Sequence, residues 1–142
     1  MNLNVERILG NFNDIDEALG QLTKLKSISK EDFMKSMEYR YIAYAGFIIL
    51  TEAIIDICYH ISAKRLRKVP PLYAECFELL KENGILDPLI ANMLSDMARF
   101  RNLLIHRYKK VDFDKIYDYI SEDFWVIDKF KEKIKFLMKA ES

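Results

Sequence analysis

Apolar residues recur every three or four positions along most of this chain, and that spacing predicts an all-α protein. We see no alternation of apolar and polar residues that would indicate a strand, so a helical bundle is the expected architecture. About five helices are predicted, at residues 4–26, 30–64, 72–83, from 87 onward, and 113–139 with a break near Ser121. In the first of them the apolar set is Val5, Ile8, Leu9, Phe12, Ile15, Leu19 and Leu22.

Capping and breaking residues support these helix boundaries. Ser29 is placed to cap the second helix, and Asp112 to cap the last one. Asp87, followed by proline, is typical of a helix start, whereas the KVPP run should end the second helix. Gly84 fits the position just after a helix C-terminus, where glycine is favoured.

The middle of the second helix, GFIILTEAIIDI, is apolar on nearly every side. A helix of that kind should be covered all round, either by its own chain or by a second copy. A membrane-spanning helix needs about 20 mostly apolar residues. The apolar run here, 43–57, is shorter and contains Thr51, Glu52 and Asp56, so we interpret it as a buried helix and expect no membrane contact.

The composition is that of a soluble globular protein, with 142 residues, 51% hydrophobic and 31% charged. This length favours one domain spanning residues 1–142, and 22 basic residues balance 22 acidic ones. Cys58 and Cys76 lie in apolar helical patterns with no C-x-x-C spacing, which predicts buried free thiols in a reducing cytosol. Without a basic-then-apolar leader, we expect a cytoplasmic protein.

The segment RFRNLLIHRYKK, residues 99–110, gathers cations and one of the two histidines without an acidic residue between them. With about 100° per residue, the core-facing residues of this helix fall in one arc of roughly 120°, and Arg101 lies within that arc. A buried arginine needs a partner, so Arg101 either meets a buried carboxylate, lines a cleft, or extends to solvent from the edge of the core. The core-facing set is Ile90, Met93, Leu94, Met97, Phe100 and Leu104.

Arg101 and His106 are five positions apart, about 140° around a straight helix, so they do not converge on one phosphate unaided. Asn102 and His106 share another face, where they could hydrogen-bond, and Tyr108 shares the face of Arg101. Three features could bring Arg101 and His106 to one phosphate: the long side chain of arginine, a helix that loosens near His106, or a second protomer that presents the same motif across a two-fold axis. We favour the second protomer, assisted by the length of arginine.

Arginine and histidine together suit the cleavage of RNA without a metal. The sequence contains no convincing set of metal ligands and no phosphate-binding glycine loop. Histidine can accept a proton near neutral pH, arginine can stabilise the charge that develops on a phosphate, and RNA supplies its own 2′-hydroxyl nucleophile. Neighbouring cations would attract the RNA backbone; they are Arg99, Arg107, Lys109 and Lys110.

The motif R-N-x-x-x-H-x-Y, residues 101–108, resembles the R-X4-H-X-Y motif of HEPN-domain ribonuclease toxins of the HepT type. The stretches AIIDICYHI, PPLYAECFELLKENGIL and MARFRNLLIHRY, in this order, are also similar to that family, as is the aromatic, acidic helix after KKVDF. The resemblance covers about residues 40–135 and shows no departure from the motif.

This resemblance implies an all-helical homodimer whose two motifs face one another across a shared cleft. It implies the toxin of a type II toxin–antitoxin system, a metal-independent endoribonuclease that needs no cofactor. Arg101 and His106 would be the catalytic pair, with Asn102 in support. It further implies a partner, a nucleotidyltransferase antitoxin of the MNT type, which silences the toxin by transferring AMP from ATP onto Tyr108.

Three alternatives stay open from the sequence. The protein could be a non-catalytic HEPN-like dimer that binds a nucleotidyltransferase and nucleotide. Asp56 could pair with His60 on the next helical turn or serve as the buried partner of Arg101. A second basic run could stabilise a helix C-terminus or bind RNA or the antitoxin; it consists of Lys64, Arg65, Arg67 and Lys68.

Overall fold

A computed structural model of the chain describes residues 2–106 and 110–141. Within those residues the fold is all-helical, as predicted, and contains no strand. Short 3₁₀ and π-helical turns connect or extend some of the helices, at Leu25–Ser27, Ser62–Leu66 and Tyr119–Asp123. The seven α-helices are α1 (Val5–Lys24), α2 (Lys30–Lys35), α3 (Met37–Ile61), α4 (Tyr73–Glu82), α5 (Pro88–His106), α6 (Phe113–Asp118) and α7 (Trp125–Glu141).

The prediction of about five helices was therefore wrong by two, because two of the predicted helices are each divided. The predicted helix 30–64 breaks at Ser36, whose backbone is extended and whose side chain accepts a hydrogen bond from the Tyr39 amide. Ser36 thus caps α3, and its non-helical backbone ends α2. The final helix is divided by the π-helical turn Tyr119–Asp123, which confirms the break predicted near Ser121.

The predicted caps are present. Ser29 accepts a hydrogen bond from the Asp32 amide, Asp112 from the Lys115 amide, and Asp87 from the Leu89 amide. Gly84 follows α4 with a φ of +70°, in the left-handed region that residues with a side chain rarely adopt. The local chemistry of the sequence therefore sets most of the helix ends.

Helix α3 lies at the centre of one hydrophobic core, and twelve of its residues are buried. Helix α1 packs closely against α3 at Gly46. A Cβ at that position would lie only 2.7 Å from the side chain of Leu22 on α1. In the described residues one stretch, Met37–Leu66, is long and apolar enough to cross a membrane, but 56% of its most apolar window is buried inside the fold. Burial of that extent is typical of a core helix.

The second histidine, His60, joins the chain ends to the core. Its Nε2 accepts a hydrogen bond from the Asn4 amide at 2.8 Å, and burial lowers the pKa of the imidazole below its usual 6.5. Beside it, Glu141 accepts hydrogen bonds from the Leu3 amide and from Arg65. These contacts give His60 a structural role at the termini.

Candidate functional site

Arg101 lies on the core side of α5, as its position in the apolar arc predicted. Only 11% of its side chain is exposed. The residues that flank it in the predicted core stripe are buried or half-buried, so the guanidinium lies at the edge of the core. The buried residues are Leu94, Met97, Phe100 and Leu104, and the half-buried ones are Ile90 and Met93. A charge in this position must be stabilised by specific partners.

Three side chains provide that support. The Arg101 Nη2 donates to Glu52 Oε1 at 2.6 Å, and Nη1 donates to Asn102 Oδ1 at 3.2 Å. The guanidinium carbon also lies 5.3 Å from the ring centroid of Tyr73, a cation–π distance. Glu52 comes from α3, Tyr73 begins α4, and Asn102 is the next residue on α5, so three helices converge on this arginine.

The carboxylate partner is not the one that the sequence suggested. Asp56 binds Arg7 at 2.6 Å and Asn11 at 2.6 Å instead, and the hydrogen bond from Arg7 holds the pKa of Asp56 below its usual range. Asp56 therefore pairs with α1, and neither Arg101 nor His60 is its hydrogen-bond partner. Asp56 lies four residues beyond Glu52, one helical turn along the same face of α3, and of the two carboxylates it is Glu52 that reaches Arg101.

Glu52 covers the arginine from the solvent side. Its side chain is 51% exposed, so the predicted buried carboxylate is in fact a surface one. The Nε of Arg101 is buried without a hydrogen-bond partner. Each terminal nitrogen of the guanidinium, Nη1 and Nη2, carries one further N–H that does not donate to Asn102 or Glu52. An anion could bind there once the Glu52 side chain rotates away.

Tyr73 is itself fixed by a second tyrosine. Its ring meets that of Tyr59 edge to face, with centroids 5.8 Å apart. The Tyr59 hydroxyl donates to the carbonyl of Pro70 at 2.6 Å. Burial, with the neighbouring Cys76, raises the pKa of Tyr59 to about 12, so this hydroxyl keeps its proton at neutral pH. The aromatic pair thus gives Arg101 a rigid base.

His106 is the last residue of α5 and is exposed. The helix continues as far as this residue, so a helix that loosens before His106 does not bring the imidazole toward Arg101. Asn102, predicted to support catalysis, uses its carbonyl oxygen for Arg101 rather than for His106. The predicted modification site Tyr108 and the predicted RNA-binding residues Arg107 and Lys109 lie outside the described residues.

Exposed apolar residues lie on the faces of α3 and α5 that carry this site, and we call them the apolar strip: Tyr41, Ala45 and Ile49 of α3, with Ile105 of α5. The exposed fractions are 62% for Tyr41, 49% for Ile49 and 39% for Ile105, and Ala45 is also exposed. The three α3 positions are four apart, so they share one helix face, and Glu52 continues that face. Ile105 is one turn beyond Arg101 on α5.

The other side of α5 is acidic. Arg99 is two residues from Arg101, about 200° around the helix, and it pairs with Asp96 at 3.1 Å. Arg99 and Asp96 both line a groove of about 710 Å³. The groove is also lined by four more carboxylates, those of Asp112, Asp114, Asp118 and Asp123. The structure therefore places Arg99 and Arg101 on opposite sides of α5. Lys110, another predicted RNA-binding residue, is exposed just before α6. Burial and the charges of nearby acidic residues raise the pKa of Asp123.

The roles of Glu52 and Tyr73 beside Arg101 were not predicted from the sequence. Glu52 could have been suspected, because it is one of two carboxylates, with Asp56, in an otherwise apolar stretch of α3. Tyr73 gave no signal, since its contact with Arg101 depends on how α4 packs on α5. Across residues 2–106 and 110–141, no group of three or more His, Cys, Asp or Glu residues is arranged to hold a metal ion.

Comparisons with known proteins connect this chain to a family. A family model described as ribonuclease HepT-like matches residues 15–134. A protein of Aphanizomenon flos-aquae named tRNA nuclease HepT is 31% identical over 107 residues, which is 75% of this chain and 73% of that protein. The Shewanella oneidensis protein named mRNA nuclease HepT is 26% identical over 84 residues, 59% of this chain and 63% of that protein.

A solved structure shares the fold. The tri-AMPylated HEPN toxin of Shewanella oneidensis, in complex with an MNT antitoxin, superposes with a TM-score of 0.83 at 20% identity. The match covers 95% of this chain and 98% of the toxin. The all-helical arrangement is therefore that of a HEPN toxin.

Proposed function

Because this chain belongs to the ribonuclease HepT-like family, we propose that it is a cytoplasmic endoribonuclease toxin in which Arg101 and His106 cleave RNA. The observation that carries the proposal is the arrangement of Arg101. It is the one residue of α5 in the apolar arc that carries a charge, Tyr73 and Asn102 hold it in place, and Glu52 pairs with it from the solvent side. Such support is expected of a group that must present fixed N–H donors to a phosphate.

The chemistry follows from the side chains. A base removes the proton of the 2′-hydroxyl, the 2′-oxygen bonds to the adjacent phosphorus, and the bond from phosphorus to the 5′-oxygen breaks. An acid returns a proton to that leaving oxygen. Arg101 stabilises the charge on the phosphate oxygens, and His106 exchanges the protons. The products are a 2′,3′-cyclic phosphate and a 5′-hydroxyl, and no step requires a metal or a cofactor.

A homodimer makes this scheme complete. One imidazole cannot be both the initial base and the initial acid, whereas two copies of His106 supply both. The angular separation of Arg101 and His106 on a helix that continues to His106 also favours a site shared between protomers. We propose that the apolar strip of Tyr41, Ala45, Ile49 and Ile105 packs against its symmetry mate and brings the two motifs together.

An antitoxin of the nucleotidyltransferase class would control the site. Toxin relatives of the same fold occur in complex with MNT antitoxins, and one is tri-AMPylated. In this chain we assign the modification to Tyr108. Its phenolic oxygen attacks the α-phosphorus of ATP, the phenolic proton is lost and pyrophosphate leaves. The added phosphate, two residues beyond His106, would place a negative charge at the cleft and repel RNA.

Cleavage kinetics test the catalytic assignment. We expect the unmodified protein to cleave single-stranded RNA in EDTA, and Arg101→Ala or His106→Ala to reduce kcat by at least about a hundredfold. Lys26→Ala, at an exposed cation after α1, is the matched control and should leave kcat unchanged. If verified unmodified protein binds the antitoxin and nucleotide but cleaves no RNA, the alternative of a non-catalytic binding dimer is correct.

The dimer has its own test. Ile49→Lys places a charge in the apolar strip, and we expect a monomer in analytical ultracentrifugation with little cleavage. Leu89→Lys is the control, because Leu89 is 56% exposed in the first turn of α5, away from the strip. A monomeric Ile49→Lys protein that cleaves RNA as fast as the wild type would refute the shared site.

A further inference from the structure

The loop between the π-helical turn Ser62–Leu66 and the start of α4, residues 67–72, is held in a fixed shape near the site. The Lys68 amide donates to the Ser62 carbonyl at 3.3 Å, and the Ser62 hydroxyl donates to the Lys68 carbonyl at 2.7 Å. At the far end, the carbonyl of Pro70 accepts the hydroxyl of Tyr59. Since both ends are anchored by buried or half-buried residues, the loop presents its side chains at defined positions.

The loop begins with a backbone conformation that an arginine does not favour. Arg67 has φ 55° and ψ 39°, in the left-handed region. For a residue with a Cβ this costs roughly 1–2 kcal/mol, whereas glycine adopts it freely. No other residue among those described, glycine aside, has a positive φ. An arginine kept at such a position points to a use for its side chain.

The loop is connected to Arg101 through the aromatic pair. Pro70 contacts Tyr59, the Tyr59 ring contacts Tyr73, and the Tyr73 ring supports the guanidinium of Arg101. Each of these contacts is shorter than 6 Å. Two tyrosine rings thus separate the loop from Arg101, and we expect a strand of RNA with one phosphate at Arg101 to extend toward the loop.

The charges of the loop are available to an anion. Arg67 and Lys68 are exposed, and neither forms an ion pair with any described residue. Arg65, in the same basic run, is instead neutralised by Glu141 at 2.5 Å. Across α5, the groove around Arg99 is rich in carboxylates and would repel a polyanion. The loop side of Arg101 is thus the side on which an RNA strand is favoured electrostatically.

We propose that the 67–72 loop is a second RNA-binding site, in which Arg67 and Lys68 each bind a backbone phosphate of the strand that is cut at Arg101. The inference rests on the proposed function, because it assumes that RNA is the substrate. Contacts of this kind position the strand without reading its bases. They strengthen binding of the ground state and leave the chemical step at Arg101 and His106 unaltered.

The test measures RNA binding and its dependence on salt. Fluorescence anisotropy with a labelled single-stranded oligoribonucleotide, in a His106→Ala background that cannot cleave, gives Kd at several KCl concentrations. Arg67→Gly removes the cation and relaxes the left-handed backbone, so it should fold at least as well as the parent. Lys68→Gln completes the double variant. Lys26→Gln, an exposed cation without an ion pair in the described chain, is the control.

We expect the double variant to bind about fivefold to tenfold more weakly at low salt, and the slope of log K against log [KCl] to fall by about 0.7 for each lost contact. With His106 restored, KM should rise while kcat stays constant. A Kd and a salt slope equal to those of Lys26→Gln overturn the inference alone. If the His106→Ala parent binds no RNA, the proposed function and the inference fail together.

Discussion

The ion pair between Glu52 and Arg101 leads to a prediction about substrate binding. Glu52 is half-exposed and covers a guanidinium that is almost fully buried. Under the proposed function, the Glu52 carboxylate occupies the position in which a phosphate oxygen of RNA would bind. An RNA phosphate must displace this carboxylate, and the lost ion pair subtracts from the affinity for RNA. Glu52→Gln removes the negative charge but keeps a carbonyl oxygen that can accept the hydrogen bond from Arg101.

The magnitude follows from the exposure of the pair. An ion pair with one half-exposed partner is worth ~0.2–1 kcal/mol, because water screens it. Removing that competition should lower KM by about 1.5-fold to fivefold. Arg101 keeps its contacts with Tyr73 and Asn102, so kcat should not change. For the same reason the free energy of unfolding should fall by less than about 1 kcal/mol.

The assay is steady-state cleavage of a fluorogenic oligoribonucleotide at fixed ionic strength. Glu38→Gln is the control, since it removes the same charge from an exposed position in the first turn of α3. Comparison with it separates local competition from the general effect of net charge on a polyanion. A drop in kcat at constant KM would show that Glu52 positions Arg101 rather than competing with phosphate, and the reasoning would be refuted.

Three further predictions follow from the packing and the titrating groups. Tyr73→Leu removes the cation–π contact with Arg101, worth about 0.5–2 kcal/mol, so kcat should fall by about twofold to thirtyfold. Gly46→Ala forces a methyl group against Leu22 and should lower the free energy of unfolding in urea by about 1–3 kcal/mol. Stability should also decrease as pH falls below about 6.5, because the unfolded chain protonates His60 there and the folded chain, with its lowered pKa, does so only at lower pH.

Each of these predictions has a matched comparison. Tyr73→Phe keeps the ring and should keep kcat near that of the wild type; equal losses in both variants would contradict a cation–π role. Gly10→Ala, at a helical glycine with no atom within 4 Å of the added methyl, should stabilise α1 rather than weaken it. His60→Gln should flatten the stability curve as the pH falls below about 6.5, and an unchanged curve would mean that another group titrates there.

The sequence predicted the helices well because their determinants are local. Apolar spacing and the caps at Ser29, Asp87 and Asp112 act within one or two turns, so they can be read without knowing the fold. The break at Ser36 was missed because the apolar pattern continues across it. A serine in such a pattern is compatible with a helix interior or with a cap, and the spacing alone does not distinguish the two.

The site was predictable only in part. The position of Arg101 in the apolar arc indicated that it lies against the core, and in the structure only 11% of its side chain is exposed. Its partner could not be chosen from sequence, because Glu52 and Asp56 are one turn apart and the choice depends on how α1 packs on α3. Tyr73 reaches Arg101 only through the packing of α4 on α5. Tertiary contacts of this kind leave no periodic trace in a single sequence.

Whether this chain cleaves RNA through its 2′-hydroxyl is decided by identifying the RNA ends made in EDTA by protein that mass spectrometry shows to carry no AMP. We expect 2′,3′-cyclic phosphate and 5′-hydroxyl ends, since the 2′-oxygen adjacent to the cut is the nucleophile. These ends should be lost with Arg101→Ala and with His106→Ala. Ends with a 5′-phosphate and a 3′-hydroxyl, or cleavage that persists in both variants, would contradict the proposed mechanism.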